Sequence, residues 1–279
     1  MEKREIELLV LSDIHLGTYG CQAKELYHYL KSVKPKTVVL NGDIIDIWLF
    51  SKKYWPSSHM KVVKQILNYL ANGCDVYYIT GNHDEMLRKF AGLEIGKLKV
   101  VNKLQMDLDG KRTWFFHGDV FDVTMKHSKW IAKLGAFGYD FLVLLNSFVN
   151  NALSTLGRER ISFSKKIKNG VKGAVKFIDD FENTIADMAI SQGYDNVVCG
   201  HIHQPEIKRI GNGDKTVKYL NSGDWIENLT ALEYNNGEWK LFNYIEEKIS
   251  KELFSEEPLK EESLQELFAT MVSTEFASK

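Results

Sequence analysis

IELLVLSDIH, residues 6–15, reads as a buried strand over Ile6–Leu11 that stops abruptly at Ser12-Asp13. Downstream, Leu26, Tyr29, Leu30 and Val33 have helical spacing, and Pro35 closes that pattern. A second β-branched run, Thr37–Leu40, ends at Asn41-Gly42-Asp43. Val62, Val63, Ile66, Leu67 and Leu70 again have helical spacing, with Gly73 where a helix stops. Val76–Thr80 is a third strand, and it runs into Gly81-Asn82-His83-Asp84. Strand and helix alternating in this way predict an α/β fold with parallel strands and right-handed crossovers. In such sheets ligands collect where the strands end.

The pattern repeats further along. Thr113–Phe116 leads into His117-Gly118-Asp119, and Asn196–Cys199 into Gly200-His201-Ile202-His203, so five strand ends deliver five polar clusters. Val217–Asn221 and Leu229–Tyr234 read as antiparallel strands, and Asn235-Asn236-Gly237 as a hairpin turn into Trp239–Tyr244. The expected main domain is 1–245, with 246–279 a peripheral helix or mobile tail. A helical cap is expected as an insertion at about 125–190. It contains the apolar stretch Trp130–Val149, and Met125–Lys176 carries ten Lys or Arg against Asp140 and Glu159.

Bulk properties narrow the classes. Thirty-six basic and 37 acidic residues leave a net charge of -1, which gives no reason to expect nucleic acid as a partner. No protein partner can be inferred. Cys21, Cys74 and Cys199 form no Cys-x-x-Cys pair and no disulfide framework, which favours a reducing compartment. Ile6–Leu11 is too short for a signal peptide, and no apolar stretch reaches the roughly 18 residues of a spanning helix. A cytoplasmic location is the expectation.

Carboxylate, amide oxygen and neutral imidazole are the donors that divalent cations prefer. The clusters supply them as Asp-x-His, Gly-Asp, Gly-Asn-His-Asp, His-Gly-Asp and Gly-His-x-His. In an extended segment, alternate residues point the same way, so Asp13 and His15 should lie on one side of the chain, as should His201 and His203. Taken singly, His-x-His reads as a strand pair, Gly-Asp as a turn and Asn-His-Asp as a helix cap. In succession at strand ends they read as one site. Asp13, His15, Asp43, Asn82, His117, His201 and His203 are too many for one tetrahedral ion and suit two ions with a shared bridge. His59 and His127 fall outside the set and read as surface residues, and His28 has no functional reading.

These blocks, in this order, resemble the calcineurin-like metallophosphoesterases. The resemblance covers roughly residues 6–235 and implies a four-layer α/β/β/α sandwich holding two divalent metals. It implies one metal on Asp13, His15, Asp43 and His203, and another on Asp43, Asn82, His117 and His201. His83 would then face the leaving oxygen, with Asp84 orienting it. A non-catalytic metal-binding scaffold is the alternative of another class, and the intact ligand set and His83 favour turnover.

Gly42-Asp43-Ile44-Ile45-Asp46-Ile47-Trp48, His117-Gly118-Asp119, Gly200-His201-Ile202-His203-Gln204-Pro205 and Asn221-Ser222-Gly223-Asp224-Trp225 narrow the likeness. They resemble the UDP-2,3-diacylglucosamine hydrolase branch of lipid A synthesis. That implies pyrophosphate cleavage to a lipid monophosphate and UMP, manganese as the metal (iron or zinc as alternatives), and work at the inner membrane face. Lys172 and Lys176 are the expected phosphate contacts of the cap. One position departs from the branch, whose best-known members carry Arg where this chain has His83. The His form permits poorer leaving groups, so a phosphodiesterase or monoesterase acting on another nucleotide or phospholipid is the enzymatic alternative.

Overall fold

A computed structural model describes residues 3–48, 54–121, 164–212 and 215–255. The first strand is β1 (Arg4–Leu11), followed by α1 (Ala23–Ser32), β2 (Val33–Asn41), α2 (Ser57–Ala71) and β3 (Asp75–Ile79). Then come β4 (Glu94–Ile95), β5 (Leu98–Val101), β6 (Leu104–Leu108) and β7 (Lys111–Phe115). The long helix α3 (Ser164–Ser191) precedes β8 (Asn196–Cys199), β9 (Glu206–Asn212), β10 (Lys215–Asn221), β11 (Thr230–Asn235) and β12 (Glu238–Asn243). Residues 1–242 form one compact unit, and residues 243–279 a second that includes α4 (Tyr244–Ser255).

Two sheets organise the first unit. One has the order β12-β11-β1-β2-β3-β5-β4, the other β6-β7-β8-β10-β9. Parallel pairing sets Leu8 beside Thr37 and Thr37 beside Asp75, so β1, β2 and β3 end at the same edge. The parallel trio β7, β8 and β10 does likewise in the second sheet, with Thr113 opposite Asn196 and Lys218 opposite Asn196.

Period-two alternation explains the layers. Leu8, Val10, Val39, Ile79, Leu232 and Tyr234 of the first sheet share one buried cluster with Phe115, Val198 and Leu220 of the second. The sheets therefore face each other. On the other side of the second sheet, Val197, Cys199, Val217 and Tyr219 meet Phe181, Ile185, Ala186 and Ala189 of α3. Helices α1 and α2 pack on each other and on β2 and β3, with Leu26, Leu30, Val62 and Ile66 buried. The result is the expected α/β/β/α sandwich. Each fully buried aliphatic side chain contributes about 1.5–3 kcal/mol over its exposed state.

Several local readings change. Val33 continues no helix, because α1 ends at Ser32 and Val33 opens β2 opposite Arg4. Pro35 lies within β2, paired with Ile6, but β3 joins only from Thr37. At Pro35 the strand is thus a local edge, where a missing N–H costs little. Strands β10 and β11 do have antiparallel partners, β9 and β1, yet they sit in different sheets. The Asn236-Gly237 turn has φ of 50° and 80°, the left-handed pair of a tight hairpin.

Trp130–Val149, His127 and the basic residues up to Arg160 lie outside the described residues, as does 256–279. Of the expected 125–190 cap, the C-terminal half of α3 is described, and it forms a layer of the sandwich. Among the described residues no helix is long and apolar enough to cross a membrane.

Candidate metal centre

The residues singled out in the sequence stand at the shared edge of both sheets, but extended backbone does not aim them. Asp13, His15, Asp43, His201 and His203 all have positive φ, between 50° and 68°. The same-side expectation from a pleated segment is therefore replaced by left-handed turns at single residues. Such a conformation costs a non-glycine residue about 1–2 kcal/mol. Hydrogen bonds between neighbouring loops hold it in place. Asp13 N–H donates to Gly42 O (3.1 Å), His15 N–H to Asp43 O (2.9 Å), and Leu16 N–H to Ile44 O (2.9 Å). Trp225 N–H donates to Asp13 O (3.1 Å), and Gly200 N–H to His117 O (2.9 Å).

The side chains converge in three overlapping groups: Asp13, His15 and His203; Asp43, His117 and His201; His15, Asp43 and His83. Within each group the donor atoms lie within 4.8 Å of one another. His203 Nε2 is 3.1 Å from Asp13 Oδ1, and His117 Nε2 is 3.2 Å from Asp43 Oδ2. Yet Asp13 Oδ1, His15 Nε2, Asn82 Oδ1 and His117 Nε2 are buried and make no hydrogen bond. Buried polar atoms without partners each cost about 1–3 kcal/mol, and a cluster of them needs an explanation. Carboxylate, amide and imidazole donors left open toward one another fit divalent cations.

A surrounding shell fixes the rings. His117 Nδ1 lies 2.9 Å from Asn41 O and can donate to it, which would leave the Nε2 lone pair free for a cation. His15 Nδ1 is 3.2 Å from Asp46 Oδ2. His203 Nδ1 faces Asp224 Oδ2 at 3.8 Å, and Asn228 Nδ2 donates to His203 O (3.0 Å). Backbone N–H groups hold the carboxylates, with His201 N–H on Asp13 Oδ2 (3.0 Å) and His83 N–H on Asp43 Oδ1 (2.8 Å). Without metal, this crowding couples the charges. Burial pushes the Asp13 and Asp43 carboxyls up, but His203 and His117 outweigh it and hold both well below the usual range. Burial likewise lowers the imidazoles, yet Asp43 lifts His117 to about 10 and Asp13 lifts His203 to about 9.

Two glycines make the convergence possible. A Cβ at Gly81 would sit 2.2 Å from Asp43 Oδ1, and one at Gly200 would sit 2.5 Å from Asp13 Oδ2. Any side chain there would occupy the space of a carboxylate.

Two expectations are corrected. Asp84 does not orient His83. It is fully buried and accepts from Gly81 N–H (2.6 Å), Ile44 N–H (3.0 Å) and Tyr78 OH (2.6 Å), tying two loops together. Asp46 holds the ring instead, with its Oδ2 2.9 Å from His83 Nδ1 and 3.2 Å from His15 Nδ1. The signal was available, since Asp46 is the last residue of Gly-Asp-x-x-Asp. His59, expected at the surface, is 1% exposed and accepts from Gly17 N–H at Nδ1 (3.0 Å). Its place on the inward side of α2 was concealed because Ser57-Ser58 and Met60 around it look like a surface turn. The roles of Asn41, Asp224 and Asn228 are likewise tertiary: Asn41 and Asp224 stand in strand-end motifs, but only the fold shows which histidine each one meets.

A family model described as calcineurin-like phosphoesterase matches residues 6–205. The chain belongs to the calcineurin-like phosphoesterases. As a member of that family it is a metal-dependent phosphoester hydrolase. Over 252 residues it is 24% identical to a UDP-2,3-diacylglucosamine hydrolase of Stenotrophomonas maltophilia, covering 84% of this chain and 96% of that protein. A protein of the same name from Aliivibrio fischeri is 22% identical over 236 residues, covering 82% and 95%. Among solved structures this phosphoesterase is similar to an archaeal phosphodiesterase (TM-score 0.42, 14% identity, 85% and 98% covered). It is also similar to a dimetal phosphatase from Danio rerio (TM-score 0.37, 11% identity, 85% and 95% covered).

Proposed function

We propose that this phosphoesterase cleaves the pyrophosphate of a UDP-2,3-diacylglucosamine-like nucleotide-diphospho-lipid, releasing a lipid monophosphate and UMP. The observation that carries this reading is the likeness to UDP-2,3-diacylglucosamine hydrolases over 84% of the chain. One manganese ion would be held by Asp13, His15, Asp43 and His203, the other by Asp43, Asn82, His117 and His201. Such a pair, when bound, would supply a hydroxide near neutral pH and neutralise charge at phosphorus. His83 gives a proton, or a hydrogen bond, to the leaving oxygen. Asp46 on Nδ1 leaves Nε2 as the nitrogen turned to substrate, and burial, which lowers the His83 pKa, is outweighed by Asp46 and Asp43, which raise it. The proton is thus retained for donation.

Lys172 and Lys176 on α3 hold the diphosphate in this reading. Lys176 is exposed, and Phe181, about one turn further on, has its ring 6.2 Å from that of His201. Basic residues near the site also suit contact with an anionic inner leaflet. Neither nucleic acid nor a protein partner is part of the reading.

A second reading has its own observation. The Asp46–His83 pair suits leaving groups poorer than a nucleotide phosphate, and so a phosphodiesterase acting on another phospholipid or nucleotide. One experiment separates them: manganese-loaded protein is given acylated and deacylated UDP-sugars and simple phosphodiesters. The lipid reading expects the acylated substrate to lead in kcat/KM by several powers of ten, because each buried methylene contributes roughly 0.8 kcal/mol. Comparable rates would leave the general phosphodiesterase. Lys172→Glu with Lys176→Glu should damage lipid turnover while sparing a small aryl diester.

A further inference from the structure

We propose that Trp48 is the stacking surface of a nucleobase subsite beside the metal centre. The inference rests on the reading that the substrate carries a nucleotide, and it names where the base sits.

Trp48 is 57% exposed, unusual for the largest apolar side chain and unexplained by the fold's core. Its indole lies against the His83 imidazole, with ring centroids 4.5 Å apart and planes tilted by 37°. Backbone fixes this placement, since Ile47 N–H donates to His83 O (3.0 Å) and Asp46 N–H to Leu16 O (3.0 Å). Asp46, two residues before Trp48, holds His83 Nδ1. The preceding residues Asp46 and Ile47 therefore anchor the ring beside His83, while more than half of its surface is open to solvent.

A second aromatic surface leaves the same place. Leu16 and Ile45 form a parallel bridge, so the loop carrying Tyr19 and the loop carrying Trp48 start side by side. Tyr19 is 83% exposed and stacks on Tyr54, centroids 3.7 Å apart. Flat aromatic surfaces at the rim of a phosphate-cleaving centre suit a flat ring attached to that phosphate through a ribose. Stacking of one base on a protein ring changes affinity by about 5- to 150-fold.

Equilibrium binding to the manganese-loaded full-length protein tests this without turnover. UMP and ribose 5-phosphate present the same phosphate and differ in the base. UMP should bind about 5- to 150-fold more tightly. Trp48→Ala should collapse that ratio toward one by weakening UMP alone, and Trp48→Phe should keep most of it. Equal affinities in the unaltered protein would overturn the subsite, as would a Trp48→Ala loss that falls equally on both ligands. Failure of the lipid reading would show elsewhere, as equal turnover of acylated and deacylated substrates, with the UMP preference intact.

Discussion

Asp46 has one oxygen beside two imidazoles, 3.2 Å from His15 Nδ1 on the metal side and 2.9 Å from His83 Nδ1 on the substrate side. Its substitution should therefore resemble the loss of His83 more than the loss of a ligand. For a poor leaving group, His83→Ala and Asp46→Asn should each lower kcat on the order of 10²–10⁴. The double variant should be little worse than either, because the residues act as a unit. A double-mutant cycle in kcat checks this, and additive losses would show independent roles. On an activated aryl phosphate both losses should shrink. Asp43 differs, because it belongs to two of the three donor groups. Asp43→Ala should reduce metal content, by elemental analysis of purified protein, from about two ions per chain to one or none. Retention of two ions would remove the bridging role.

At the scale of elements, what matters is how closely loops and layers approach. Gly81 follows β3 directly, and an added Cβ would meet Asp43 Oδ1 at 2.2 Å and Asp43 N at 2.6 Å. Those are a ligand and its own backbone, so no flexible side chain can move aside. Gly81→Ala should cost more activity than stability, with metal retention during gel filtration as the measurement; undiminished metal content would contradict the crowding. Helix α3 makes the converse case. Phe181 is fully buried, caps the second sheet and lies against His201. Phe181→Ala should destabilise by about 3–5 kcal/mol in urea unfolding, while excess metal restores much of the activity. The layering followed from the family resemblance, while the end of α1 was misread. Val33 continues the helical spacing, and only pairing with Arg4 makes it a strand residue.

The whole molecule carries the charge balance of this centre in its folding equilibrium. His117 and His203 ordinarily titrate near 6.5 but are raised to about 10 and about 9 in the metal-free fold. A raised folded pKa gives stability that is complete below pH 6.5 and lost as pH climbs through 9 to 10. Metal binding has the opposite sign. It needs neutral imidazole, releases protons, and strengthens as pH rises. Chelator-stripped protein should therefore lose stability from pH 6.5 to 10, and the gap to the metal-loaded protein should widen. Urea midpoints with and without manganese measure this. A gap that narrows over that range would contradict the assignment of these imidazoles to metal.

Strands β4, β5, β6 and β9 were not legible in the sequence, but it alone showed β1, β2, β3, β7 and β8 and the residues Asp13, Asp43, His117 and His201 at their ends. Those are local facts, set by apolar periodicity and by abrupt changes to polar residues. Tertiary structure decided how the residues are aimed and which partners hold them. Left-handed turns aim the Asp-x-His and His-x-His pairs, and they persist because hydrogen bonds from distant loops hold them. Asp46 rather than Asp84 holds His83, and His59 turns inward to Gly17. Such pairings join residues 40 or more positions apart in several cases, as with Gly17 and His59 at 42 or His117 and Asn41 at 76. Chain periodicity has no reach over that distance, and only the packed sheets bring the partners together.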